Sequence, residues 1–292
     1  MQPNERLVFS AIAERPPLVL PQGARLVVWV IVNVEEWDIR QTMPRTVISP
    51  PAGGSPMPDI PNWAWHEYGN RVGFWRMLEV FDDFSIPAVL AINGSAIAAY
   101  APIARAAHER DWEFIGHGFT QRNTQAVENE AHDIARTGEA IAKFTGRRPL
   151  GWLGPGLTET WSTPDLLAEA GYRYLLDWCM DDQPIWFRCR GSRRIMAVPY
   201  PQELNDIPAI AVRRASAATF ADMIVDQFDE MTELSQARPL VIGVALHAYI
   251  VGQPYRLRHL KRALRHIASH RDAIWLTTPG AIAAHCADQP IP

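Results

Sequence analysis

Lysine is almost missing from this chain. Only Lys143 and Lys261 are present, and every other basic residue apart from the histidines is an arginine. Arginine favours planar, bidentate pairing over point-charge contact, although genomic base composition produces the same bias. Cysteine is scarce as well. Cys179, Cys189 and Cys286 are odd in number and have no zinc-finger spacing, so no disulfide framework is expected. No window is long and apolar enough to span a membrane. Met1 to Pro16 carries Glu5 and Arg6 and has no apolar core followed by a cleavage site. No signal peptide is read there, and a cytoplasmic location is the expectation. The formal net charge of -4 argues against a protein held to nucleic acid by phosphate contacts.

The composition that remains is that of an ordinary globular protein. The chain has 292 residues, of which 48% are hydrophobic and 21% charged, enough for a sizeable core. No compositional shift or internal repeat divides it. The reading is one domain: an irregular arm over residues 1–24, then an α/β barrel over residues 25–285.

One stretch organises the rest. Val27 to Val34 is a β-branched apolar run that ends in Glu35 and Glu36. A run this short reads as a buried strand. Adjacent carboxylates at its carboxyl end are costly inside a core but useful at a mouth, where α/β folds place ligands. A proline-rich loop follows from Asp38 to Trp65, long enough to line a site or a subunit contact. Helical spacing is read over Arg71–Phe84, Ala96–Arg110, Glu128–Thr145, Thr163–Ala170, Thr219–Ser235 and Arg256–His270. Strands are read at Ala88–Ile92, Glu113–Gly116, Pro149–Trp152, Tyr174–Leu176, Ile195–Val198, Ala209–Val212, Leu240–Leu246 and Ala273–Leu276. The alternation predicts parallel strands with helical crossovers.

Glu35-Glu36, His117, Asp177 and His247 each close a predicted strand. In a parallel barrel those ends converge on one face. Carboxylates and imidazoles together suit acid/base hydrolysis, with or without a metal. A single histidine in such a place is more often structural than catalytic, so the weight lies in the recurrence.

The order of these residues, with Trp152-Leu153-Gly154-Pro155-Gly156 and the late Leu246-His247, resembles the polysaccharide deacetylase superfamily (carbohydrate esterase family 4). The resemblance implies a distorted seven-stranded α/β barrel. It is strongest to the allantoinase and cyclic imide hydrolase branch, through Asn33-Val34-Glu35-Glu36, Glu67-Tyr68-Gly69-Asn70-Arg71-Val72-Gly73, Asp181-Asp182-Gln183-Pro184 and Gly252-Gln253-Pro254-Tyr255-Arg256. Three departures stand out. The family's Asp-Asp pair is Glu35-Glu36 here. Its second metal-binding histidine is Gln121. Leu153 stands close to where its arginine is expected. A neutral amide is a poor zinc ligand. The resemblance therefore implies either no required cofactor or one divalent metal such as zinc, held by Glu36 and His117.

It implies Glu35, Glu36, His117 and His247 as catalytic residues, with Glu35 as the base and His247 as the acid. Tyr68, Arg71, Trp152, Asp181 and Gln183 are the substrate-binding candidates. Arg71 could instead pair with Glu67, Trp152 could be core, and Gln183 could be a polar turn. The expected activity is hydrolysis of carbon–nitrogen bonds in small cyclic amides, imides or ureides. An aminosugar-polymer N-deacetylase and a silent binding protein are the rivals. A small-molecule substrate is expected, with no nucleic-acid or membrane partner, and the chain is expected to form a homo-oligomer.

Overall fold

The computed structural model describes residues 3–51, 53–54 and 56–292. Residues 1 and 2 of the expected arm, and 52 and 55 of the proline-rich loop, lie outside the described residues. The strands are β1 (Leu26–Val34), β2 (Ala88–Ile92), β3 (Glu113–Gly116), β4 (Gly151–Trp152), β5 (Tyr174–Leu175), β6 (Ile185–Arg188), β7 (Arg194–Ala197), β8 (Leu240–His247) and β9 (Ile274–Thr277). They form one curled sheet in the order β6-β7-β5-β4-β3-β2-β1-β8. β1 is its centre. One edge pairs with β8 along its length, and the other is shared between β9 at Leu26–Trp29 and β2 at Val30–Val34. All pairings are parallel except β6 with β7. The free edge of β8 is taken up by loops, with Val241 N–H donating to the Asp182 carbonyl and Ala245 N–H to the Leu204 carbonyl. The fold is thus the expected α/β barrel, curled and closed partly by loop.

Two apolar cores flank β1, and a third packs around β4 to β7. Leu26, Val28, Val30, Val32 and Val34 of β1 face the outer helices. Val27, Trp29 and Ile31 face the barrel interior with Ile115, Leu153 and Ala245. Side chains alternate along a strand. The interior face of β1 therefore continues through Asn33 to Glu35, that of β3 from Ile115 to His117, and that of β8 from Ala245 to His247. Three ionisable residues thus arrive at one mouth because each sits an even number of positions past an inward apolar residue, two for His117 and His247 and four for Glu35.

Two expectations need correction. The helix read from Arg71 begins earlier, at Ile60, where the Asp59 side chain accepts from Asn62 N–H. It runs through a widened turn at Gly69–Gly73 into Phe74–Phe84. Ala209–Val212 is not a strand but part of a helical segment, Ile207–Val212. Pro208 cannot donate to a strand ladder, and the Asn205 side chain accepts from Ile207 N–H to start the turn.

Candidate active site

Glu35 is the buried centre of the site. Its Oε1 lies 3.8 Å from His117 Nε2 and 3.8 Å from His247 Nε2. Its Oε2 accepts from the Trp37 indole N–H at 2.6 Å. Trp37 stacks on His66 at 4.2 Å between ring centroids. The Glu35 backbone is held too, its carbonyl accepting from Asn70 at 3.2 Å.

Each histidine has one nitrogen committed. His117 Nδ1 meets the Leu153 carbonyl at 2.7 Å, and a carbonyl only accepts, so Nδ1 carries a proton. His247 Nδ1 meets Asp206 Oδ1 at 2.6 Å, while the second Asp206 oxygen accepts from His247 N–H at 2.7 Å. Both Nε2 atoms therefore turn to the Glu35 carboxylate. If both rings were neutral, three acceptors would converge with no proton between them. One shared proton, or a water donating to two of them, resolves this. Burial alone would push the Glu35 carboxyl up, but His117 and His247, with His66 behind, outweigh it and hold it down at about 2. Glu35 is ionised at neutral pH.

The surroundings lock this geometry. Asn93 is fully buried and ties three strand ends together. Its side chain accepts from Glu36 N–H at 2.9 Å and donates to the His117 carbonyl and to Gln121 Oε1. Gly116 has no side chain because Trp152 Cε3 lies 2.6 Å from where a Cβ would stand. Gly69 is pressed as closely on the backbone of Tyr249, so the helical segment carrying Asn70 can reach β1.

Asp177 sits one layer back, its Oδ1 accepting from Gly154 N–H at 2.7 Å. Burial raises its carboxyl to about 6 despite that bond and His117, and the neighbouring Glu159 is raised well above the ordinary range by burial and by Asp177. A carboxyl whose folded pKa is raised stabilises fully below its unfolded value, near 3.8, and loses that contribution as pH rises through about 6. Asp177→Asn keeps the oxygen for Gly154 and removes the titration. It is expected to melt higher than the parent at pH 8, by about 1–3 kcal/mol, and to match it at pH 4. Thermal unfolding at the two pH values checks this.

The structure brings together three of the four catalytic candidates. Glu35, His117 and His247 line a cavity of about 390 Å³ with Asn33, Arg45 and Tyr200. Glu36 points away, into an adjoining cavity of about 1040 Å³ with Trp63, Tyr100 and Gln121. None of the five substrate-binding candidates lines either cavity. Tyr68 accepts from Arg76, and Arg71 is exposed. Trp152 is buried against Tyr172. Asp181 pairs with Arg15 of the arm at 2.6 Å, and buried Gln183 donates to the Pro239 carbonyl. Asp206 and Asn93 carry no sequence signal of a site, and Asn70 and Trp37 stand in stretches singled out in the sequence without being read as site residues. Asp206 carried the least signal, since its partner lies 41 positions away.

The metal site implied by the resemblance does not fit these residues. Glu36 and His117 face different cavities, and Gln121 already accepts from Asn93. Among the described residues no three His, Cys, Asp or Glu side chains are grouped to hold a metal ion.

Residues 65–175 match the polysaccharide deacetylase family model. The allantoinase PuuE crystal structure superposes with a TM-score of 0.85 at 25% identity, covering 96% of each chain. The chain resembles the polysaccharide deacetylase superfamily. A polysaccharide deacetylase-type protein of Schizosaccharomyces pombe is 26% identical over 90% of both sequences. A Helicobacter pylori peptidoglycan deacetylase is 22% identical over 72% of this chain and 82% of its own. The likeness in fold and sequence to PuuE supports the resemblance to the allantoinase branch. Among the described residues, no helix is long and apolar enough to cross a membrane.

Proposed function

We propose that this protein opens carbon–nitrogen bonds of small cyclic amides, imides or ureides by carboxylate/histidine catalysis. The observation that carries this is Glu35 held between two Nε2 atoms at 3.8 Å, at the wall of a cavity of about 390 Å³. That volume suits one small ring better than a polymer.

The steps use side chains alone. A water accepted by His117 Nε2 loses a proton to Glu35 as its oxygen attacks the ring carbonyl carbon. The carbonyl π pair moves onto oxygen. The oxyanion then collapses, the C=O re-forms, and the C–N pair leaves onto nitrogen. His247, whose positive charge Asp206 balances, protonates that nitrogen. The proton on Glu35 returns to His247 across their 3.8 Å gap, and the site is reset. Ring opening keeps the leaving nitrogen tethered, so a small cavity suffices.

The adjoining cavity of about 1040 Å³, with Trp63 and Tyr100 on its walls, supports a second reading: removal of an acetyl group from an aminosugar chain. One panel separates the two. Purified protein is offered allantoin, succinimide, hydantoin and an N-acetylglucosamine oligomer, before and after chelation. Ring opening that survives chelation is the expected result. Acetate release from the oligomer alone would favour the second reading, and inactivity on every ring would refute the first.

A further inference from the structure

The catalytic cavity is rich in acceptors and poor in donors. Glu35 offers a carboxylate, and His117 and His247 turn Nε2 toward it. The Asn33 amide donates to the Leu246 carbonyl, and Gly154 N–H is taken by Asp177. Arg213 on the wall is paired in two bonds with Glu203. Attack on a carbonyl places a full negative charge on its oxygen, and preorganised donors there are worth about 3–4 kcal/mol in the barrier. Arg45 is the remaining cation on this wall. Half-buried, it lines both cavities, and its guanidinium meets the buried Tyr249 phenol rather than a carboxylate.

From this we infer that Arg45 binds the substrate carbonyl and stabilises the oxyanion, which rests on the ring-opening reading above. The loop that carries it is fixed on both sides. Met43, two residues before, is buried in the outer core. Val47 and Ile48, after it, both donate backbone N–H groups to the Asn62 side chain, at 2.7 and 3.0 Å. Asn62 donates back to the Ile48 carbonyl and to Asp59. A long loop is thereby pinned within two residues of the arginine, and Asn62 is its positioning residue. The guanidinium also lies close enough to the buried Tyr249 phenol to oppose the rise that burial imposes there. Tyr249 packs on the His247 ring at 5.4 Å, so Arg45 reaches the surroundings of the acid as well as the open cavity.

The test is Arg45→Met and Arg45→Lys in the full chain, measured on whichever ring the parent opens. Arg45→Met is expected to lower kcat about 100- to 1000-fold, with KM changed far less and partial rescue by free guanidinium ion. Arg45→Lys is expected to fall between, since one ammonium cannot reproduce the planar fork. Asn62→Ala, a positioning variant, is expected to lose kcat that Arg45→Met does not lose further when combined with it. Calorimetry with succinamate, the acid left by succinimide opening, gives a second readout: at least tenfold weaker binding to Arg45→Met than to the parent. An active parent with kcat in Arg45→Met within threefold overturns the arginine and leaves the ring-opening reading standing. A parent that neither opens any ring nor binds succinamate overturns both.

Discussion

Glu35→Gln is expected to lower kcat by about a thousandfold or more while leaving the fold in place. General-base removal typically costs 10²–10⁴-fold, and here the same side chain also closes the proton cycle with His247. Glutamine keeps an oxygen for the Trp37 indole, so the packing around it need not change. It cannot take a proton from water. Steady-state kinetics on the opened ring, with circular dichroism to verify folding, checks the prediction. Activity within tenfold of the parent would remove Glu35 from the mechanism. Glu36→Gln is the internal control: it should fall far less, because Glu36 faces the neighbouring cavity. The variant also has a stability signature. A carboxyl held at about 2 when folded, against 4.5 ordinarily, contributes stability that is present above the unfolded value and lost as pH falls toward about 2. Glu35→Gln should therefore lose less stability than the parent between about pH 4.5 and about pH 2. That limb runs opposite in sign to the Asp177 limb, and the two variants separate them.

Glu35 and Glu36 could have been told apart from sequence by alternation, but both faces of β1 are apolar. With helices outside and a packed interior, nothing in Val27–Val34 marks which parity points inward. The strand ends themselves were legible because apolar runs stop abruptly at His117 and His247. The boundary at Ile60 was hidden by Pro61, which reads as a loop residue but is tolerated in a first helical turn. β6 breaks the pattern because Trp186 is only half-buried and Arg188 is exposed on an edge pair, so its apolar run is short and broken. The Gly69–Gly73 motif stood out as sequence, and its glycines serve close packing on the segment after β8 rather than a ligand. In that motif the residue next to the site is Asn70, not Arg71. The arm contacts explain Asp181 and Gln183 in the same way: polar residues that look poised for a substrate are satisfied by the chain's own distant segments.

The second large effect is expected at Asp206, which sequence gave no reason to choose. It is fully buried and makes two bonds to one residue, from the His247 backbone N–H and with its Nδ1. In Asp206→Asn one oxygen can still accept from the backbone, but the amide NH₂ then faces Nδ1. Two donors cannot share that contact, so the ring must place its lone pair on Nδ1 and its proton on Nε2. His247 could then no longer accept the proton that Glu35 returns without leaving an imidazolium uncompensated. Loss of the orienting carboxylate in comparable histidine–aspartate pairs costs about 10⁴-fold with the geometry intact. A fall of about 10²–10⁴-fold in kcat is expected here, with little change in KM. Nitrogen NMR of the imidazole should show the tautomer switch directly. Combined with Glu35→Gln, the loss should be much less than the product of the two, because both variants interrupt one proton cycle. Independent, multiplicative losses would instead mean that Asp206 holds the turn at Ile207 and β8 together without acting through His247.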